Sequence, residues 1–161
     1  MQQLLISDSN VLIDLEEGGL TQQLFLLPYT FAVPDILYAE ELEEKHGWLL
    51  DVGLCQKEMT PESMVYVSEL LVKYSGPSFN DCTALALAKQ EECPLITGDL
   101  RLRKAADKES VPKLGTIWLL EQMIIHGICS TKEVRGASLK MKLAGSRLPW
   151  TLLDDMLAKH T

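Results

Sequence analysis

A three-layer α/β/α fold, with helices on both faces of a central parallel sheet of about four to five strands, is the class that this sequence predicts. Three observations carry it. Apolar runs of about three residues (Leu4-Leu5-Ile6, Phe31-Ala32-Val33, Leu95-Ile96) are continuous rather than alternating, as in strands buried on both faces. Between them lie longer stretches with helical periodicity. At each junction sit turn formers and helix caps, the alternation of a doubly wound sheet.

The elements follow in order. Leu4-Leu5-Ile6 ends at Ser7-Asp8-Ser9-Asn10, a cluster of caps, and Val11 to Glu17 then reads as a short helix stopped by Gly18-Gly19. A second helical stretch, around Leu20 to Leu27, leads to the strand Phe31-Ala32-Val33. Pro34 and Asp35 open a helix from Ile36 to Lys45 with Ile36, Leu37 and Leu42 on one face and a strongly acidic face opposite. A third strand is expected within 49–59. Thr60-Pro61 then starts a helix, with proline in its first turn, that runs to Tyr74. Ser78 to Asp81 opens the next helix, which contains the strong helix-forming run Ala84 to Ala88. Pro94-Leu95-Ile96-Thr97 is a fourth strand with Gly98-Asp99 at its end, followed by a basic helix from Leu100 to Lys108. A brief strand near Val111 to Leu114, a helix from Thr116 to about His126, and two short amphipathic helices at about 131–144 and 150–159 complete the chain.

The 161 residues are 47% apolar and 24% charged, which suits one domain spanning 1–161, with about 127–161 as a helical appendage. That composition excludes a disordered or collagen-like chain. No apolar run approaches the ~20 residues needed to span a bilayer, and the first residues lack the basic, then apolar pattern of a leader. A soluble cytoplasmic protein without membrane contact is expected. Cys55, Cys82, Cys93 and Cys129 are scattered, with no C-x-x-C, and His46, His126 and His160 fall in different segments. Zinc, redox and thiol- or serine-nucleophile chemistry have no motif to rest on.

Charge is distributed unevenly. Residues 1–99 hold 17 acids against 4 lysines, whereas 100–161 hold 6 acids against 11 bases, including all four arginines: Arg101, Arg103, Arg135 and Arg147. Two solvated faces of unlike sign would account for this. So would an acidic site that holds cations beside a basic flank that receives an anion. In open parallel sheets, ligands bind beyond the carboxyl ends of the strands. Asp8 and Asp99 follow the first and fourth strands, and Asp81 lies in the first turn of the helix before the fourth. One acid in such a place is ordinarily a helix cap. Two at corresponding strand ends repel each other unless a cation offsets them, and an all-oxygen donor set suits Mg²⁺ or Mn²⁺ rather than zinc.

Four segments, in order, carry a family resemblance: Ile6-Ser7-Asp8-Ser9-Asn10-Val11-Leu12-Ile13-Asp14-Leu15; Val33-Pro34-Asp35-Ile36-Leu37-Tyr38-Ala39-Glu40-Glu41-Leu42; Asn80-Asp81-Cys82-Thr83-Ala84-Leu85-Ala86-Leu87-Ala88; and Leu95-Ile96-Thr97-Gly98-Asp99-Leu100-Arg101-Leu102-Arg103. With these the chain resembles the PIN domains, the metal-dependent nuclease fold of many ribonucleases and of VapC-like toxins of toxin–antitoxin pairs. The tail is similar to that of a prokaryotic subgroup of predicted nucleic-acid-binding PIN proteins. The resemblance implies an endoribonuclease using Mg²⁺ or Mn²⁺, with Asp8, Glu40, Asp81 and Asp99 as catalytic and metal-holding acids and Asn10 and Thr97 in support. It also implies an RNA substrate, an antitoxin as protein partner and a homodimer. Glu40 is favoured over Glu41 by the spacing from Pro34 and Tyr38, although Leu42 favours Glu41. Helix neighbours point about 100° apart, so one of the two is expected to enter the site.

The chemistry suits these residue types. Hydrolysing a phosphodiester at neutral pH requires an activated water and stabilisation of charge on the phosphate oxygens, and carboxylate-held divalent ions supply both. Arg101 and Lys104, neighbours on a helix starting at Asp99, are the candidates for phosphate contact, with Arg103 as a surface or packing residue. Two readings compete. A haloacid-dehalogenase-type phosphatase wants a second aspartate two residues after the first, where this chain has Asn10. A catalytically inactive PIN-fold module binding RNA or protein would ordinarily have lost acids, and all four are present.

Overall fold

A computed structural model describes residues 2–161. Five parallel strands, β1 (Gln3–Ser7), β2 (Tyr29–Pro34), β3 (Cys55–Lys57), β4 (Leu95–Ile96) and β5 (Lys113–Leu114), form one sheet in the order β3-β2-β1-β4-β5. The connections from β1 and β2 progress toward one edge, and the chain then returns past β1 to lay β4 and β5 on the other side. The reversal falls between β1 and β4, where Ile6 and Ser7 pair with Leu95 and Ile96. This is the switch point at which the C-terminal ends of neighbouring strands part and leave a crevice.

Helices cover both faces. Between β1 and β2 run α1 (Ser9–Glu17) and α2 (Thr21–Leu26). After β2, the expected single helix is three pieces: α3 (Asp35–Leu37), a π-helical turn (Tyr38–Leu42) and α4 (Glu43–His46). The short α5 (Leu49–Val52) precedes β3, so the third strand occupies only part of the expected window. Next come α6 (Pro61–Lys73) and α7 (Phe79–Gln90), then α8 (Leu100–Lys108) after β4 and α9 (Thr116–Ile125) after β5. The appendage is α10 (Thr131–Leu143) and α11 (Trp150–Lys159). No helix among the described residues is long and apolar enough to cross a membrane.

The layers follow from which helices bury which residues. In α7, every residue from Cys82 to Ala88 is buried, and small alanines let it lie close on β1, β2 and β4 beneath α6 and α8. On the other side α1, α2 and α9 pack together, with α10 and α11 behind them. The appendage docks at one close approach. A Cβ on Gly18 would stand 2.9 Å from Met141 Cγ and 3.3 Å from the carbonyl of Ala137, so the end of α1 admits α10 only because residue 18 is glycine. Of the cysteines, Cys82, Cys93 and Cys129 are buried and Cys55 is exposed, and all four are free thiols.

One polar cluster ties α6 to α8. Glu109, buried at the end of α8, accepts hydrogen bonds from the Tyr66 hydroxyl (2.5 Å), the Tyr74 hydroxyl (2.6 Å) and Lys73 Nζ (2.7 Å). Burial opposes its ionisation, but these three donors outweigh that and hold its carboxyl down at about 2. Because the folded value lies below the ordinary 4.5, the stabilisation is complete above that value and is lost as the pH falls toward 2. Glu109→Gln is expected to lower unfolding stability by about 1–3 kcal/mol at neutral pH. The difference from the unmodified protein should shrink in urea titrations below about pH 3. An equal loss at all pH values would mean that packing, not charge, does the work.

Candidate functional site

The crevice between β1 and β4 is closed at its floor by Asp8 and Thr97. Asp8 follows β1 directly. Its backbone N–H donates to the Ile96 carbonyl (3.0 Å), which continues the sheet ladder, while its side chain caps α1 by accepting from Val11 N–H (2.9 Å) through Oδ1. The second oxygen, Oδ2, takes a short hydrogen bond from the Thr97 hydroxyl, whose oxygen accepts in turn from Asp99 N–H (3.1 Å). Thr97 is wholly buried, so this one hydroxyl fixes both strand ends to each other. Asp8 is 3% exposed. Burial pushes its carboxyl up to about 6; the bonds from Thr97 and Val11 pull the other way, and the charges of Asp81 and Asp14 add to the rise.

The remaining acids approach from neighbouring elements. Asp81 lies in the first turn of α7, where the Ser78 hydroxyl and the Asp81 carboxylate form a reciprocal cap; Oδ2 accepts from Ser78 N–H (2.9 Å), leaving Oδ1. Asp99 caps α8 with Oδ1 on Leu102 N–H (2.9 Å), leaving Oδ2, and is exposed at the rim. Asp8, Asp81 and Asp99 are thus all helix caps, the ordinary role of an acid after a strand. Capping engages one oxygen of each.

Glu40 and Glu41 give a geometry the sequence did not anticipate. They ride on the π-helical turn Tyr38–Leu42, whose wider winding brings neighbouring side chains closer in direction than an α-helix would. Glu40 accepts from Asn80 Nδ2 (2.9 Å), next to Asp81; Glu41 accepts from the Ser9 hydroxyl (3.0 Å), next to Asp8. Each glutamate is bonded to the neighbour of a site acid, Glu40 beside Asp81 and Glu41 beside Asp8. Partial burial raises the Glu41 carboxyl; Ser9 opposes this, while Asp81 and Glu40 raise it further.

Asn10, expected to steady Asp8, makes no side-chain hydrogen bond to it. It stands exposed on the turn after the cap and opens on an adjoining groove. Thr97 steadies Asp8 instead. Arg101 and Lys104 are exposed and border one shallow depression; Arg101 lies directly over Gly76, where a Cβ would stand 2.5 Å from Arg101 Cδ. Arg103 has a defined position at the sheet edge, with Nη1 donating to the carbonyls of Thr97 (2.7 Å) and Leu114 (3.1 Å). Asp14, half-buried four residues beyond Asn10, accepts from the Ser146 hydroxyl (2.8 Å) and so ties the appendage to α1. The sequence signal for Asp14 was its spacing, one helical turn from Asn10.

The donor set suits a hard divalent cation in chemistry. All donors are oxygens, and no Lys, Arg or His lies within ion-pair distance of Asp8, Glu40, Glu41, Asp81 or Asp99 among the described residues. Asn80 Oδ1 is buried without a hydrogen-bond partner beside Asp81. As the side chains stand, no three acidic, imidazole or thiol groups among the described residues converge on one point. The arrangement is an uncompensated anionic crevice whose exposed glutamates have room to move.

A family model described as "PIN domain" matches residues 4–161. No protein in the curated set matches the chain. Among solved structures the chain is similar to one in the crystal structure of VapBC2 from Rickettsia felis bound to a DNA fragment from their promoter. The likeness is 14% identity, covering 70% of this chain and 98% of that chain, with a TM-score of 0.49.

The raised Asp8 carboxyl makes a stability prediction. The folded chain keeps this proton up to about 6 against an ordinary 3.8, so stability falls as the pH rises between those values and the deficit is complete above them. In metal-free buffer Asp8→Asn, which copies the protonated form, should gain about 1–2 kcal/mol near neutral pH and nothing below about pH 3.5. Denaturant titrations at the two pH values check it. Equal stability of both proteins at neutral pH would show that Asp8 carries no electrostatic strain.

Proposed function

Because the chain belongs to the PIN-domain family, a family of nucleases, we propose that it is a divalent-metal-dependent endoribonuclease acting at the β1/β4 crevice on RNA phosphodiester bonds. The observation that carries this reading is a buried carboxylate, Asp8, held without any compensating cation at the switch point of the sheet and faced by Asp81 and the glutamates of the π-helical turn. Burying charge uncompensated is costly, and a site for an exogenous cation gives that cost a use.

In this proposal Asp8, Asp81 and Asp99 hold Mg²⁺ or Mn²⁺, with Glu40 and Glu41 completing the set. Such an ion, when bound by these carboxylates, would lower the pKa of a water and offset charge on the phosphate. The chain's own contribution is positional. Val11 N–H and Thr97 hold Asp8 rigidly, so its carboxylate does not follow the ligand. The caps on Asp81 and Asp99 present one oxygen each without rotamer freedom. Glu40 or Glu41, both exposed, accepts a proton from the attacking water at its carboxylate oxygen. Asn10 turns its amide toward the substrate side, and Arg101 and Lys104 meet the phosphates. A homodimer and an antitoxin partner complete the proposal, tested by light scattering and by co-purification.

One observation favours the alternative of an inactive module that binds RNA or protein: the acids do not converge as they stand. Metal titration separates the two. With Mn²⁺ the melting temperature should rise with concentration, as RT ln(1 + [L]/Kd) requires, and Asp8→Asn should remove the rise. Cleavage of single-stranded RNA should need Mg²⁺ or Mn²⁺ and cease in excess EDTA; full activity in EDTA overturns the mechanism.

The two glutamates are separable. Glu40→Ala and Glu41→Ala are each expected to lower the cleavage rate, by about 10²-fold or more for the one that takes the proton. If one of the two cleaves like the unmodified protein, its glutamate serves only to bind Ser9 or Asn80.

A further inference from the structure

Beyond Asp99, the C-terminal ends of β4 and β5 open into a groove of about 1090 Å³. Its walls come from α1, from the starts of α8 and α9, and from the segment Gly145–Pro149 that joins α10 to α11, with Leu152. Three of the chain's four arginines, Arg101, Arg103 and Arg147, line it. None of them is within ion-pair distance of a carboxylate among the described residues, whereas Lys113, also on the wall, is paired with Asp107. Nη1 of Arg103 is committed to two strand carbonyls, which immobilises the guanidinium at the floor, while among the described residues its other nitrogens make no protein hydrogen bond. The same walls carry apolar side chains, with Leu100 72% and Leu152 59% exposed, together with Ile117 and Pro149.

Resting on the ribonuclease reading, we propose that this groove binds the single-stranded RNA on the far side of Asp99, and that the appendage supplies one wall of it through Arg147, Pro149 and Leu152. The chemistry selects the occupant. Guanidiniums without a carboxylate partner seek phosphates, and exposed apolar side chains on the same walls cover base faces. A single strand offers both, whereas an A-form duplex hides its base faces and offers phosphates and 2′-hydroxyls. The wall is held in place by the bond from Ser146 to Asp14 and by the close seat of α10 on Gly18, so the appendage is part of the binding surface rather than a tail.

Arg147 decides the test, because it is exposed and makes no protein hydrogen bond or ion pair among the described residues, so Arg147→Gln leaves the fold intact. Binding of a short labelled single-stranded RNA is measured by anisotropy across a salt series in the Asp8→Asn background, where cleavage is suppressed. Arg147→Gln is expected to weaken binding most at low salt and to flatten log K against log salt by about 0.7, and Arg147→Gln with Arg101→Gln by about 1.4. Lys132→Gln, outside the groove, should reproduce the background affinity in all but its diffuse charge, and a duplex RNA should compete poorly. If Arg147→Gln binds RNA with unchanged slope, or if the duplex competes as well as the single strand, the groove proposal is overturned while the nuclease reading stands. If the protein neither binds nor cleaves RNA under any metal condition, the nuclease reading fails and takes the groove with it. A groove that instead captures a protein segment would show as RNA binding indifferent to Arg147, the first of these outcomes.

Discussion

The hydrogen bond from the Thr97 hydroxyl to the Asp8 carboxylate joins the two strands between which the sheet reverses direction, and the site is arranged around it. β4 is only two residues long, so its backbone ladder with β1 is short. Thr97 extends that ladder by one side-chain bond and passes it on to Asp99 through the backbone N–H of the α8 cap. The buried carboxylate thereby fixes the start of α1, the end of β4 and the start of α8 in one frame. Its full burial makes the frame rigid and keeps its charge in poor solvation.

That cost explains the contrast between the two ends of the molecule. The far end of α8 is held by Glu109, a buried carboxylate with three donors, which is a stabilising arrangement. The near end is set by Asp8, whose carboxylate has a hydroxyl and a backbone amide as donors and acidic neighbours in Asp81 and Asp14. Two buried acids of one small domain thus have opposite electrostatic settings. One carboxyl is pulled down to about 2 and the other is pushed up to about 6. Only the second leaves a field for something outside the chain to satisfy.

The π-helical turn and the appendage shape the crevice from either side. A helix of uniform α geometry from Asp35 to His46 would have separated Glu40 from Glu41 by about 100°. The π turn lets one reach Asn80 and the other Ser9. On the opposite flank, the segment after α10 brings Arg147 to the same groove as Arg103, although 44 positions of sequence separate them. Acids and arginines that occupy different halves of the chain meet along the edge marked by the β4 end, Asp99 among the first and Arg103 among the second.

A parallel sheet of about four to five strands, the placing of Asp8 and Asp99 at strand ends and of Asp81 in a first turn were legible in the sequence, whereas the strand order was not. Buried parallel strands are short continuous apolar runs, and caps must follow them. The charge asymmetry was legible too. The π turn was not, because its extra residue is accommodated by packing: Tyr38 and Leu42 are both buried, and a pattern with one inserted residue reads as an irregular α-helix. Thr97 was expected in support and Arg103 as a surface or packing residue, but their partners, the Asp8 carboxylate and two strand carbonyls, were not legible, since those contacts join residues far apart in the chain. Local sequence decides where helices and strands begin, because capping and periodicity act over a few residues. Which partner occupies the second oxygen of Asp8, and which cations line the groove, depend on contacts between residues far apart in the chain, and only the tertiary structure decides those.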